Sequence, residues 1–506
     1  MTATTNQEKQ IMRKGTNKSL VLLIACVAQF MVVLDLSIVN VALPSIKVSL
    51  GYSSTDLQWI LNAYTISFAG LLLLGGRIAD VFGRRKVFIY GLYMFIGASL
   101  LGAIATNQWE LILARVLQGI GAAVVSPATL TIITTTFEVP RERAKALGAW
   151  SAVAGAGGAA GALFGGVLTN YLSWRWTFLI NLPIGGIELL LTFMYLSELR
   201  RPRQGVKLDI LGSVLITAGI SFLVFGLVQG GNLGWSNSET LSAFILAAAL
   251  IAVFAIFETK YAHSPIIPMK LLASRSLGVA NAAMFMVGAA IFASWYFMSL
   301  YMQEVLGYTP LQAGLAFVPQ TLAIMVGAQI SSRIVTKLGV RPLAVFGPLI
   351  TALGLVMLSS ISPSSTYVGT IMLPSVLITL GMGLCFTPLA LAATSGVDRA
   401  YAGLASGVLN TARQVGGAVG LAGLSSAAVS IASGKYLYLT HQLHVETHLA
   451  VLDSTSHGYA ISMALSAALA VTASAVALML PSKSVRGSEY AAKSSELVME
   501  IGFEGA

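Results

Sequence analysis

Apolar runs, each about the ~20 residues that a helix needs to cross a ~30 Å hydrocarbon core, recur along this chain with short polar connections between them. They predict fourteen membrane spans, at 19–43, 57–76, 87–106, 109–136, 144–169, 176–197, 208–229, 240–259, 277–303, 311–332, 343–361, 367–394, 402–432 and 459–480. The predicted class is an all-α polytopic membrane protein. Composition points the same way: 56% of the 506 residues are hydrophobic and 10% are charged, against about 25% charged in soluble domains. Met1–Lys18 is polar and basic, and the first apolar run is long enough to remain as a span, so no cleaved signal is expected. Cys26 and Cys385 both lie in apolar runs, which gives no disulfide framework.

The net charge of +10 changes the picture only through its placement. Arg77/Arg84/Arg85/Lys86, Arg141/Arg143/Lys145, Arg200/Arg201/Arg203/Lys207, Lys260/Lys270/Arg275, Arg333/Lys337/Arg341 and Arg399 fall on one side with both termini. The other side carries little more than Lys47, Arg175 and Lys435. The positive-inside rule then puts both termini in the cytoplasm, which requires an even number of spans. The basic balance is topology rather than nucleic-acid binding.

The chain also repeats itself. GGRIADVFGRRK (75–86) aligns with SSRIVTKLGVRP (331–342), with Thr336 in place of Asp80. At nearly the same offset, Gly148, Gly157, Gly158 and Gly161 match Gly407, Gly416, Gly417 and Gly420. A parallel duplication of six-span bundles, separated by two extra spans, explains both matches. The expected organisation is a cytoplasmic segment 1–18, a bundle 19–200, two extra spans with linkers over 201–275, a second bundle 276–480 and a cytoplasmic tail 481–506, the last polar enough to be expected disordered. Parallel duplication is a transporter plan with the substrate site between the halves.

LDLSIVNVALP (34–44), GGRIADVFGRRK (75–86), LILARVLQGIGAA (111–123), GAWSAVAGAGGAAGALFGG (148–166) and WRWTFLINLPIG (174–185) together resemble the major facilitator superfamily, specifically its fourteen-span drug/proton antiporter branch. The likeness covers about 19–480, with the five motifs in the family's order. It implies two six-helix bundles plus two central spans, rocking about a cavity, and exchange of small amphiphilic compounds for protons.

Asp35 is an acid within an apolar span, where a carboxylate costs roughly 2.5–3.5 kcal/mol on insertion scales; a group that takes up and releases protons suits such a site. Helical rise puts Asp35 and Arg115 at similar depth, roughly 12 Å and 9 Å below the same surface, so they either pair structurally or act in the pathway. Arg115, Gln118, Gly119 and Ala122 form one polar, small stripe at i, i+3, i+4 and i+7. The resemblance assigns proton coupling to Arg115; the alternative is a buried arginine satisfied by carbonyls. Gly76 and Gly83 permit a tight turn beside Asp80, Arg84 and Arg85, and the resemblance makes this a charge latch on the cytoplasmic side, whereas topology alone explains the arginines but not Asp80. Gly157, Gly161 and Gly165 make a small-residue face suited to close helix packing. The antiporter form of that motif has proline directly after the glycine matched by Gly161; this chain has Ala162 there.

Glu188 shares a helical face with Asn181 and Gly185. It is either a second proton site or counter-charge in the cavity, or a locally paired or snorkelling acid. Arg413, with Asn410 and Gln414, is the buried cation of the second half, binding substrate or locking its helix. Met284, Met286, Phe292, Trp295, Tyr296, Met298 and Tyr301 fit either an adaptable site for flat ligands or ordinary core. The expected cavity residues are therefore Gln118, Asn181, Trp295, Tyr296, Asn410 and Arg413.

His441, His444 and His448 share a polar outer loop without ligand-grade partners, so no metal is expected, and no other cofactor. A G-x-x-x-x-G-K-[ST] loop is absent from the sequence, so ATP is not the expected drive. The expected activity is drug:proton antiport of cationic or neutral amphiphiles across a bacterial plasma membrane, by a monomer with the bilayer as its surroundings. A dedicated exporter of one metabolite, lipid or antibiotic, a non-antiport carrier and a non-transporting receptor share the scaffold. An enzyme would need a nucleophile–base or metal constellation, and none is seen.

Overall fold

The computed structural model describes residues 18–137, 139–196, 208–262, 265, 274–395, 397 and 401–481. Among them are fourteen helical spans long and apolar enough to cross a membrane, built on α1 (Lys18–Leu50), α2 (Trp59–Phe82), α3 (Arg84–Ile104), α4 (Gln108–Thr136), α5 (Pro140–Tyr171), α6 (Asn181–Tyr195, which spans together with the preceding turn Trp176–Leu179), α7 (Ile210–Leu233), α8 (Ser238–Lys260), α9 (Arg275–Leu300), α10 (Val318–Leu338), α11 (Val340–Leu358), α12 (Met372–Thr394), α13 (Ala402–His441) and α14 (Thr447–Ala477). The terminal segments expected at 1–18 and 481–506, apart from Lys18 and Pro481, and the basic residues Arg200, Arg201, Arg203, Lys207, Lys270 and Arg399 lie outside the described residues.

Helices α1–α6 pack on one another and α9–α14 do likewise. The two sets meet chiefly along α2 against α13, and along α5 against α10 and its lead-in turn Pro310–Ala316. The extra helix α7 packs on α8, α2 and α13, touching both bundles. Each bundle has its own apolar filling, around Met31, Phe88 and Phe95 in the first and around Met284, Met382 and Cys385 in the second.

The repeat seen in sequence is a repeat of packing. Gly157, Gly161 and Gly165 of α5 lie against the α1 backbone, where an added Cβ would come within 3.0 Å of Phe30 O, 2.8 Å of Leu34 O and 2.6 Å of Ile38 O respectively. Gly416 and Gly420 of α13 lie in the same way against Phe285 and Ala289 of α9. Gly83 and Gly339, matched in the other motif, both adopt positive φ, +96° and +85°, in one-residue turns between consecutive helices. That left-handed backbone is what glycine supplies at low cost.

Three boundaries differ from the sequence expectation. Helix α1 runs to Leu50 through Pro44 rather than stopping near Leu43. The sixth span is broken into a turn, Trp176–Leu179, and then α6. The hairpin of α13 and α14 projects beyond its apolar part, leaving only 442–446 as connection, so His441 ends one helix and His448 sits in the first turn of the next rather than sharing a loop. Polar residues end an apolar window but not a helix: Lys435 and Asp453 pair at 2.8 Å across the projecting arms.

Candidate functional site

A cavity of about 1380 Å³ lies between the bundles, lined from α1, α2, α4 and α5 on one side and α9, α10, α12 and α13 on the other. Its lining reaches Arg77, Pro265 and Tyr401 at the face carrying the basic connections and stops near Asn40, Val41 and Phe317 short of the opposite face. Most of the wall is apolar, with Phe68, Phe292, Trp295, Met382 and Phe386 among it.

Pro44 explains how the far end is shut. It has no N–H, so the carbonyl four residues back, at Asn40, loses its intrahelical donor. Ser299 Oγ of α9 donates to Asn40 O at 2.7 Å, and Gln303 Nε2 donates to Val41 O at 3.0 Å. One turn beyond, Lys47 Nζ pairs with Glu304 Oε1 at 2.8 Å, and the Tyr459 hydroxyl donates to Glu304 Oε2 at 3.1 Å. α1 of the first bundle is thus tied to α9 and α14 of the second.

Asp35 lies on the other side of α1 from the cavity, inside the first bundle. Its Oδ2 accepts from Arg115 Nη1 at 2.5 Å, and its Oδ1 from Gln118 Nε2 at 3.0 Å and Asn181 Nδ2 at 2.9 Å. Arg115 also donates to Gln118 Oε1 at 2.8 Å and Ile60 O at 3.0 Å, and sits 4.4 Å from the Tyr64 ring centroid. Ser99 accepts from both Gln118 and Asn181. Asp35, Arg115, Gln118, Asn181 and Ser99 are all 0% exposed. A low-dielectric site strengthens such a network and makes loss of any partner costly.

The sequence expectation put Gln118, Asn181 and Tyr296 on the cavity wall. In the structure Gln118 and Asn181 hold Asp35 instead, because their helical faces turn into the first bundle. Tyr296 is buried in the core with its ring 5.4 Å from that of Phe297. Trp295, Asn410 and Arg413 do line the cavity, and so does Gly76. Gly83 makes its turn, Arg84 and Arg85 open α3, and Arg85 Nη2 donates to Phe193 O of α6 at 3.2 Å. Asp80 belongs to the last turn of α2, and its side chain lies outside what the structure describes. Ala162 leaves α5 unbroken and lines the cavity.

Glu188 is also 0% exposed, off the cavity wall, on the α6 face that carries Asn181 and Thr192. Neither of its carboxyl oxygens has a hydrogen-bond partner. Among the described residues the charged lining of the cavity consists of Arg77 and Arg413, with no carboxylate. Neither Asp35 nor Glu188 lines it. Sequence reading missed Ser99, Ser299, Gln303, Glu304 and Tyr459. Lys47 reads from the sequence only as a topological charge, because its partner Glu304 lies 257 residues away.

Two helical bundles around a central cavity, with a sealed charge network inside one of them, define a polytopic membrane carrier. The sequence profile of the Major Facilitator Superfamily matches residues 25–421, and the chain belongs to that family, as a fourteen-helix member. Among curated relatives, the cephamycin export protein CmcT of Amycolatopsis lactamdurans is 45% identical over 83% of this chain and 87% of that protein. The puromycin resistance protein pur8 of Streptomyces alboniger is 36% identical over 91% and 90%. In fold, the chain is similar to an inward-facing, unoccupied bacterial homolog of the human lysosomal transporter Spinster, at TM-score 0.63, 16% identity and coverage of 92% and 98%. It is also similar to an autoinhibited POT family peptide transporter, at TM-score 0.66, 15% identity and coverage of 91% and 96%.

Proposed function

We propose that this protein exports amphiphilic compounds across the bacterial plasma membrane in exchange for protons, with both termini in the cytoplasm. The single observation that carries the reading is the Asp35–Arg115 network, placed on one side of α1 while the substrate cavity lies on the other. Neutralising Asp35 removes the charge that holds Arg115, Gln118 and Asn181 together and so alters how α1 sits between network and cavity. Proton and substrate then compete through the position of α1 rather than by direct contact. Glu188, buried about 10 Å along α6 from Asn181, serves as a second proton station on the same face. The Gly76–Arg85 turn acts as the latch on the cytoplasmic face, and the Lys47–Glu304 pair closes the outer one. The carrier works as a monomer without ATP.

A narrower reading is favoured by a separate observation: relatives matched over most of the chain carry the names of individual antibiotics, cephamycin and puromycin. On that reading the exporter serves one compound. The test uses everted membrane vesicles energised by respiration, with a pH-sensitive dye, and a panel of amphiphiles. Several unrelated compounds releasing lumenal protons support broad antiport, and one responding compound supports the dedicated exporter. Transport without proton movement overturns the coupling.

A further inference from the structure

Arg413 stands on α13 about 11 residues, or roughly 16 Å, from the basic end of its helix, near mid-membrane depth. A guanidinium at that depth is costly to insert and is retained in pathways. Its Nη2 donates to Asn410 Oδ1 at 2.8 Å and its carbon lies 5.3 Å from the Phe386 ring centroid, but its Nε has no partner. No carboxylate reaches it among the described residues. The other cavity arginine differs: Arg77 donates to Pro265 O at the mouth and lies in the field of Glu258 and Asp209.

Two more polar side chains of the cavity lining have atoms without partners. Gln414 is 0% exposed with neither its Nε2 nor its Oε1 bonded, and the Nε2 of Gln320, across the cavity on α10, is likewise unbonded. Buried donors left without acceptors cost stability, and a native structure keeps them where something else supplies the acceptor. A guanidinium presents several N–H groups in a rigid fork that suits a carboxylate or a phosphate. An ammonium ligand would find here a like charge and no counter-charge.

From this juxtaposition we infer that the central cavity selects amphiphilic organic anions, with the acid group taken by Arg413 and the apolar body lying against Phe292, Trp295 and Phe386. The inference rests on the cavity being the substrate site of the proposed exporter, and it departs from the cationic or neutral ligand class that the sequence suggested.

Binding to the purified full chain tests it without requiring transport. The probes are 4-(1-pyrenyl)butyrate, its primary amide and 4-(1-pyrenyl)butylamine, which share an apolar body and differ in charge. The carboxylate is expected to bind about tenfold or more tighter than the amide, the typical worth of a hydrogen bond to a charged group, and the amine weakest. Arg413→Gln is expected to abolish the carboxylate's advantage while leaving the amide's affinity within about twofold; Arg413→Lys keeps part of it. Equal binding of carboxylate and amide by the wild-type chain, or preference for the amine, overturns the inference, and this comparison needs no variant to fold. Retention of the carboxylate preference in Arg413→Gln overturns the assignment to Arg413. Anion-selective binding without proton-linked flux would instead count against the exporter reading and leave the selectivity standing.

Discussion

Glu304→Gln is the change that isolates the closure on the face away from the basic connections. The Lys47–Glu304 side chains are 24% and 23% exposed, so the pair lies between an exposed bridge and a buried one. Exposed pairs contribute about 0–1 kcal/mol, and breaking a buried one costs about 3–5 kcal/mol. A mostly shielded pair that also accepts from Tyr459 at 3.1 Å falls at about 1–2 kcal/mol on this scale. The amide keeps one acceptor oxygen and loses the charge. With the two backbone bonds from Ser299 and Gln303 intact, the ratio of closed to open molecules is expected to fall by about five- to thirtyfold. Spin labels at Val48→Cys on α1 and Leu449→Cys on α14, 85% and 54% exposed in the native chain, report the separation of the bundles at that face. The buried Cys26 and Cys385 are replaced by alanine. Pulsed electron–electron resonance should show a longer-distance population that grows in Glu304→Gln and shrinks again in the charge-swapped Lys47→Glu/Glu304→Lys protein. An unchanged distance distribution, in protein whose thermal unfolding is unaltered, refutes the closure argument.

The packing makes two further expectations. Gly161→Val places a side chain where even a Cβ comes within 2.6 Å of Ser37 Cβ and 2.8 Å of Leu34 O; overpacking there should cost about 1–3 kcal/mol or more. Gly148→Ala, with nothing within 4 Å, should leave thermal unfolding unchanged, and a drop in both variants would refute the α1–α5 contact as the cause. Glu188→Met removes a fully buried carboxyl with two unbonded oxygens, so apparent melting temperature should hold or rise while proton-coupled export slows; a clear loss of stability would mean that Glu188 has a structural partner.

How much was legible in the sequence depended on which physical variable carried the information. Span number and order follow from the bilayer's thickness, which any helix must match. Depth follows from the fixed helical rise, and on that basis Asp35 and Arg115 were set at one level, where the structure pairs them. Rotation about the helix axis is a different matter: the stripe of Arg115 and Gln118 was readable, but whether it turned towards the cavity or into the bundle depended on neighbours far away in sequence. Gln118 and Asn181 were accordingly placed on the wrong wall. The glycine frame was readable twice over because a backbone approach needs the same residue in each copy, and Gly161 and Gly420 indeed meet equivalent helices. The Lys47–Glu304 closure joins residues 257 apart, each of which reads singly as an ordinary charge at a helix end. Arg413 was recognised as a buried cation; its lack of a carboxylate emerged only once the opposing helices were in place.

In the proposed cycle Asp35 links proton movement to export. That link is measured by uptake into proteoliposomes of the purified chain, with an imposed pH gradient as the sole energy source. With 4-(1-pyrenyl)butyrate as the transported probe, the wild-type protein is expected to accumulate it against its gradient beyond the level in protein-free liposomes and to lose that accumulation when the pH gradient is dissipated, whereas Asp35→Asn is expected to show downhill movement only. Equal accumulation by Asp35→Asn, or accumulation indifferent to the pH gradient, would contradict it.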